Sequence, residues 1–328
     1  MVMRLLIAIG AGLAAAIFFI VPMKGSVAAG VTMLFAPLPL MVAGLAFAPS
    51  SAIYGALAGA LLIFGLIHEY YAIFFVAWAG IPAWWLTRLA WLARPANEGE
   101  QAGADGLVWY PVGGLAFSAA LLGAGVAAGL VLISTFYFGN YENFHEQMSK
   151  ALLELLEAAF KAPGAPRLPE GVTPQDVARY ASFAMPPVLA GWAALSYAVN
   201  LWLAGRITYL SGTTKRPWSA IPEHLRMPPV AAALMTAAFV ICVFDGLPRA
   251  LAIIVVAALG TLFAVQGFAI LHAMSRGFQW RSSVLLPLYL TTFFFFPAPA
   301  VLAAVFGLAH ALSTRGRAGS NTPTIPKT

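Results

Sequence analysis

The sequence predicts an all-α, polytopic transmembrane helix bundle, with about eight to ten spanning helices plus one interfacial amphipathic helix. Three observations predict it. Hydrophobic residues fill 61% of the 328 positions and charged residues only 9%, where a soluble domain carries about 25% charged. Mean hydropathy is +0.84. Apolar runs of about 20 residues recur, the length that crosses a ~30 Å hydrocarbon core at 1.5 Å per residue. These numbers exclude a soluble enzyme, a secreted disulfide scaffold, a disordered chain and a nucleic-acid binder. The lone Cys242 can form neither an internal disulfide nor a zinc site.

The first run, Leu5 to Val21, follows Arg4. A signal peptide has a similar outline, with Ala14-Ala15-Ala16 as a cleavage site. Small residues fill the whole run and more spans follow at once, so it reads as a retained helix. The second run, Val27 to Phe47, is broken by Pro37 and Pro39, because proline lacks the N–H that a helix interior needs. The third is Ala52 to Ile67, the fourth Ala72 to Leu92 and the fifth Tyr110 to Phe138. After a polar insert come Val177 to Leu210, Pro229 to Phe244 and Pro248 to Met274. The last run, Ser283 to Leu312, contains Pro297-Ala298-Pro299. It is too long for one untilted span and reads as one bent helix or two short ones.

The chain therefore divides into N-terminal membrane helices (1–138), an extracytoplasmic insert (139–176), C-terminal membrane helices (177–312) and a disordered basic tail (313–328). Within the insert Phe144, Met148, Leu152 and Leu155 form an apolar stripe, and charges take the other faces. That pattern fits a helix lying on the membrane surface over Tyr141 to Lys161. Thr173 or Asp176 caps the helix that follows.

Loop charges set the orientation. With Arg4 in the cytoplasm, nine basic and four acidic residues fall inside, against six and eight outside, before a tail carrying Arg315, Arg317 and Lys327. The net charge of +6 then reports topology rather than an acidic partner. A cytoplasmic basic tail favours two short helices after Ser283.

Catalytic motifs are absent from the sequence: no phosphate-binding GxxxxGK[ST] loop, no HExxH, no GxSxG elbow. The five histidines are scattered, and no pair has helical metal-ligand spacing. We expect no enzyme activity, no cofactor and no metal site.

Polar groups inside spans are expensive and mark either function or helix glue. Asn200 and Gln266 lie deep in the sixth and eighth runs. Each amide suits a ligand, a partner helix, or the other amide. His272 sits four residues before Arg276 on one helical face. Trp84 and Trp85 follow Pro82 and suit packing, the interfacial belt or a ligand wall. Asn200, Gln266, His272 and Trp84 are thus the candidate ligand-binding residues, with the second, sixth and eighth runs meeting at one polar site. His68-Glu69-Tyr70-Tyr71 reads as an aromatic belt or a cation-greeting turn. Ala8, Gly12 and Ala16 form a small-residue helix-packing face.

Asn200-Leu201-Trp202-Leu203-Ala204-Gly205-Arg206, a basic loop ending in Leu225-Arg226-Met227-Pro228, and Gln266-Gly267-Phe268-Ala269-Ile270-Leu271-His272 occur in that order. This order resembles the YybS-like family of bacterial membrane proteins, whose domain has no assigned function. The family's closing Gly, Asp and Arg motif is altered here, since Gly307-Leu308-Ala309-His310 sets His where Asp would stand. The family is distantly similar to the substrate-binding S components of energy-coupling-factor transporters. That resemblance implies a ligand buried among helices and a small-residue face on the first helix that meets a membrane partner working with an ATPase. Two functions are therefore expected as alternatives: a small-molecule binding or transport component, or a scaffolding protein in cell-envelope assembly. The lipid bilayer is the expected partner in both, and nucleic acid in neither.

Overall fold

The computed structural model describes residues 2–21, 27–97, 106–161, 168–214, 216–218 and 225–319. Helices dominate it: α1 (Val2–Ile20), α2 (Val27–Leu34), α3 (Pro37–Ala46), α4 (Pro49–Leu66), α5 (Glu69–Phe75) and α6 (Ile81–Ala90). Then come α7 (Val112–Tyr137), α8 (Tyr141–Phe160), α9 (Pro174–Leu210), α10 (Pro229–Ile241), α11 (Leu247–Met274), α12 (Arg281–Phe294) and α13 (Ala298–Gly319). Among the described residues one antiparallel strand pair, β1 (Ala93–Pro95) with β2 (Leu107–Trp109), interrupts them.

Six helical stretches among the described residues are long and apolar enough to cross a membrane: α1, α4, Glu69–Ala90, α7, α9 and α11. Three shorter apolar helices accompany them: Gly30–Ala46, Pro229–Ile241 and Ala298–Ser313. The expected eight to ten spans therefore include helices below full length. The 13 residues of α10 cover only about 20 Å at 1.5 Å each. The chain is a multi-pass membrane protein whose apolar helices face lipid.

Small residues explain how the bundle packs. In a membrane the hydrophobic effect does not hold helices together, so close van der Waals contact must. Ala8, Gly12, Ala15 and Ala16 are buried on α1, and α1 packs on α4. A β-carbon at Gly12 would overlap the Gly55 main chain. The same device recurs where Gly267 of α11 meets the Ala303 backbone of α13. Two apolar clusters result. One gathers α1, α3, α4, α6 and part of α9 around Phe75, Trp78 and Tyr197. The other gathers α7, α11 and α13 around Leu259 and Phe263. Helix α9 packs against α3, α7, α8 and α11 and so joins the two.

Several expected details differ. The second run breaks at Phe35-Ala36, so Pro37 and Pro39 stand in the first turn of α3, where their missing N–H groups cost nothing. Helix α9 starts at Pro174, three residues early, because Thr173 and Asp176 form a capping box. Two helices follow Arg281, separated at Pro297, and α13 carries helix into the expected tail as far as Gly319. The rest of that tail lies outside the described residues. The α8 stripe is shorter than expected: Phe144 is buried with His145 against α9, while Leu155 is 68% exposed. Eleven residues make about three turns, so Leu155 returns to within about 20° of Phe144 around the axis, and the buried residues lie only at the start of α8.

Candidate ligand site

Two irregular backbones place the first group of polar side chains. Pro37 cannot donate to the Met33 carbonyl, so the end of α2 has acceptors to spare. A π-helical turn over Val76–Gly80 precedes Pro82 and turns Trp78 inward, where it is 1% exposed. Trp78 Nε1 donates to the Met33 carbonyl at 3.0 Å. From α9, Asn200 Nδ2 donates to the Leu34 carbonyl at 2.6 Å and to Ser196 Oγ at 3.0 Å. Ser196 Oγ also donates to the Leu34 carbonyl. The broken helix and Asn200 thus meet. Among the described residues, Asn200 Oδ1 and the Tyr197 hydroxyl are each buried without a hydrogen-bond partner.

Gln266 lies elsewhere. It is fully buried. Its Oε1 accepts from Met227 N at 2.6 Å, and its Nε2 donates to the Gly307 carbonyl at 2.9 Å. This amide ties α11 to α13 and to the segment before α10. Asn200 and Gln266 therefore do not form one site. Asn200 is drawn to the carbonyl end of α2 and Gln266 to the Met227 N–H, main-chain groups without a helical partner.

His272 ties α11 to α12. Arg281 Nη2 donates to its Nδ1 at 3.3 Å, so Nε2 carries the proton and donates to the Tyr289 hydroxyl. Trp84 stacks edge-on to Trp85 at 5.8 Å and packs against the first cluster. Neither residue stands beside Asn200 or Gln266 in a shared cavity. The face at Ala8, Gly12 and Ala16 packs a helix, but that helix is the chain's own α4. His68 accepts from Tyr70 N as the N-cap of α5 and lies 3.1 Å from the Glu69 carboxylate.

The cavity lies at a residue that the sequence reading assigned to topology alone. Arg216, in the loop after α9, is 7% exposed. Its Nη1 donates to the Ala90 carbonyl at 3.1 Å and its Nη2 to the Tyr110 carbonyl at 2.8 Å. The first of these is the end of α6, where the helix dipole favours a cation. The guanidinium carbon sits 6.0 Å from the Trp109 ring and 5.8 Å from the Trp218 ring. Gly205 makes room for Trp218, whose indole a β-carbon there would overlap. Burial pulls the Arg216 guanidinium down to about 10. Among the described residues no carboxylate pairs with it.

On one side Arg216 borders an apolar cavity of about 140 Å³. Leu115 of α7, Ala198 and Trp202 of α9, Leu262 of α11 and Trp218 wall it with Arg216. On the other side Leu45, Trp91 and Trp109 close in without free space. Loop basic residues read as orientation signals, so nothing in the linear sequence separated Arg216 from Lys215. The only available signal was the tryptophan two residues on. Among the described residues no three His, Cys, Asp or Glu side chains gather as metal ligands.

Compared with protein-family models, curated proteins and solved structures, the chain matches none of them.

Proposed function

We propose that this chain is a small-molecule binding component of a membrane, with its site in the cavity beneath Arg216. One observation carries the reading: a buried cation with no carboxylate partner among the described residues borders an apolar cavity between α7, α9 and α11. Pockets of this kind, apolar with one well-placed polar group, are typical of ligand sites between bundle helices. The sequence resemblance to the YybS-like family, and beyond it to transporter S components, agrees with a ligand held among helices. The loop charges support an N-terminus in the cytoplasm, and the resemblance to the YybS-like family supports a bacterial inner membrane. An ATPase partner of the kind that resemblance implies would dock away from Ala8, Gly12 and Ala16, because α4 covers that face.

Native mass spectrometry of gently extracted protein tests the reading. A bound small molecule should be retained by the parent chain and lost from Ala198→Leu, which fills the cavity. Bare protein in both spectra counts against it.

A scaffolding role is the second reading, and α8 favours it. Its outer face exposes Glu142, Glu146, Lys150, Glu154 and Leu155. Crosslinking from that face to one reproducible protein, with no ligand in the cavity, would select the scaffold.

A further inference from the structure

We infer that the cavity seats a single-chain anionic amphiphile, its headgroup on Arg216 and its hydrocarbon between Trp202 and Leu262. This rests on the reading of the chain as a ligand-binding membrane component and names the class of ligand.

The charge argument comes first. A guanidinium has five N–H donors, and the protein's carbonyls engage it through two contacts. Two indole rings flank it, and among the described residues no carboxylate pairs with it. The rings attract a cation but supply no negative charge. The carbonyl end of α6 supplies only part of one, about half an elementary charge. A buried ion short of a counter-charge is costly, so an anion within reach of the free donors relieves that cost. A carboxylate or a phosphate monoester matches the planar fork.

Shape and lining decide the rest of the ligand. Leu115, Ala198, Trp202 and Leu262 offer no hydrogen-bonding side chain except the Trp202 indole N–H. A free inorganic anion would leave these walls uncovered. At about 140 Å³ the cavity is close to the ~150 Å³ apolar void that takes up one benzene. That space takes a segment of about six carbons from one hydrocarbon chain, with the rest of the chain lying between the helices toward lipid, and not the two chains of a diacyl lipid. The cation stands at the loop end of α9, where a headgroup would stay near the aqueous boundary while its chain follows the helices inward.

The test uses three probes on the full chain in detergent: radiolabelled oleate, radiolabelled oleyl alcohol, and acetate. Oleate and oleyl alcohol share a tail and differ in charge. Oleate should bind roughly tenfold tighter or more, the effect of one charged hydrogen-bonding contact, and acetate should not compete. Arg216→Gln should bring oleate down to the level of the alcohol. Ala198→Leu leaves the Arg216 contacts in place and should remove both ligands while the thermal midpoint is kept. The comparison of probes on the parent chain holds even where Arg216→Gln does not fold. Equal binding of oleate and alcohol, both lost in Ala198→Leu, overturns the anionic class and leaves the cavity as a ligand site. Competition by acetate as strong as by oleate overturns the hydrocarbon part. Absence of binding, or binding untouched by Ala198→Leu, overturns this inference together with the reading beneath it.

Discussion

Gln266 and Arg216 are both buried polar side chains whose hydrogen bonds go to the main chain, yet they differ in what they leave over. Gln266 uses its acceptor on Met227 N and a donor on the Gly307 carbonyl, within the closely packed seam between α11 and α13. Arg216 uses part of its donor set on two carbonyls and borders the cavity, and among the described residues no carboxylate balances its charge. Depth in an apolar run does not mark a site by itself. Unused hydrogen-bonding capacity beside an unfilled volume does.

Substitution breaks that comparison in graded ways. The largest effect belongs to Gln266→Leu. It leaves the buried Met227 N–H unpaired, at about 1–3 kcal/mol, and loses the bond to the Gly307 carbonyl, at about 1 kcal/mol more. The thermal midpoint in detergent should fall sharply, with no dependence on added ligand. Arg216→Gln should cost less, about 2 kcal/mol for the lost charged contacts, and should be the variant that changes ligand binding. Were Gln266→Leu to alter binding as much, the two residues would not differ in kind. Asn200→Leu should cost only about 0.6 kcal/mol, the average for an interhelical bond in a membrane. Ser196 keeps its bond to the Leu34 carbonyl, and the variant also removes an Oδ1 that has no hydrogen-bond partner among the described residues. A loss of several times that size would mean that Oδ1 holds a partner of its own.

The smallest and most local effect is one of pH at the insert. His145 packs against Phe183 at 4.0 Å and bonds Ser182 Oγ at 3.3 Å. Burial lowers its value from the ordinary 6.5. Above that pH both docked and undocked forms are neutral, and the docking of α8 on α9 is at full strength. Below it the undocked form takes up a proton that the docked form resists, so docking weakens as pH falls. Amide exchange in α8 should therefore speed up from about pH 7.5 to about pH 5.5, beyond the change in intrinsic rate. His145→Phe should remove the dependence.

The spans were legible because a membrane demands long apolar runs and little else of comparable length imitates them. The cap at Thr173 and the break near Pro37 were legible for the same local reason, since both follow from one residue's missing or supplied hydrogen bond. The β1–β2 pair was not. Its strands are three residues each and one contains Pro95, so neither shows a strand's alternation. Asn200 and Gln266 stood out as amides in apolar runs, but their partners are carbonyls and an N–H, which every residue carries and no pattern distinguishes. The site cation was hidden by the charge rule that oriented the chain. Arg216 and Lys215 are neighbours in one basic loop, and only the fold reveals that α6, β2 and Gly205 close around Arg216 and its neighbour Trp218.

The account's central claim is that the space beneath Arg216 belongs to a ligand. An experimental density map of the protein in a lipid nanodisc tests it most directly. The account predicts elongated non-protein density that starts at the Arg216 guanidinium and runs between Trp202 and Leu262. A seam closed by the inward collapse of those side chains, with Arg216 turned to a carboxylate or to bulk water, would contradict it.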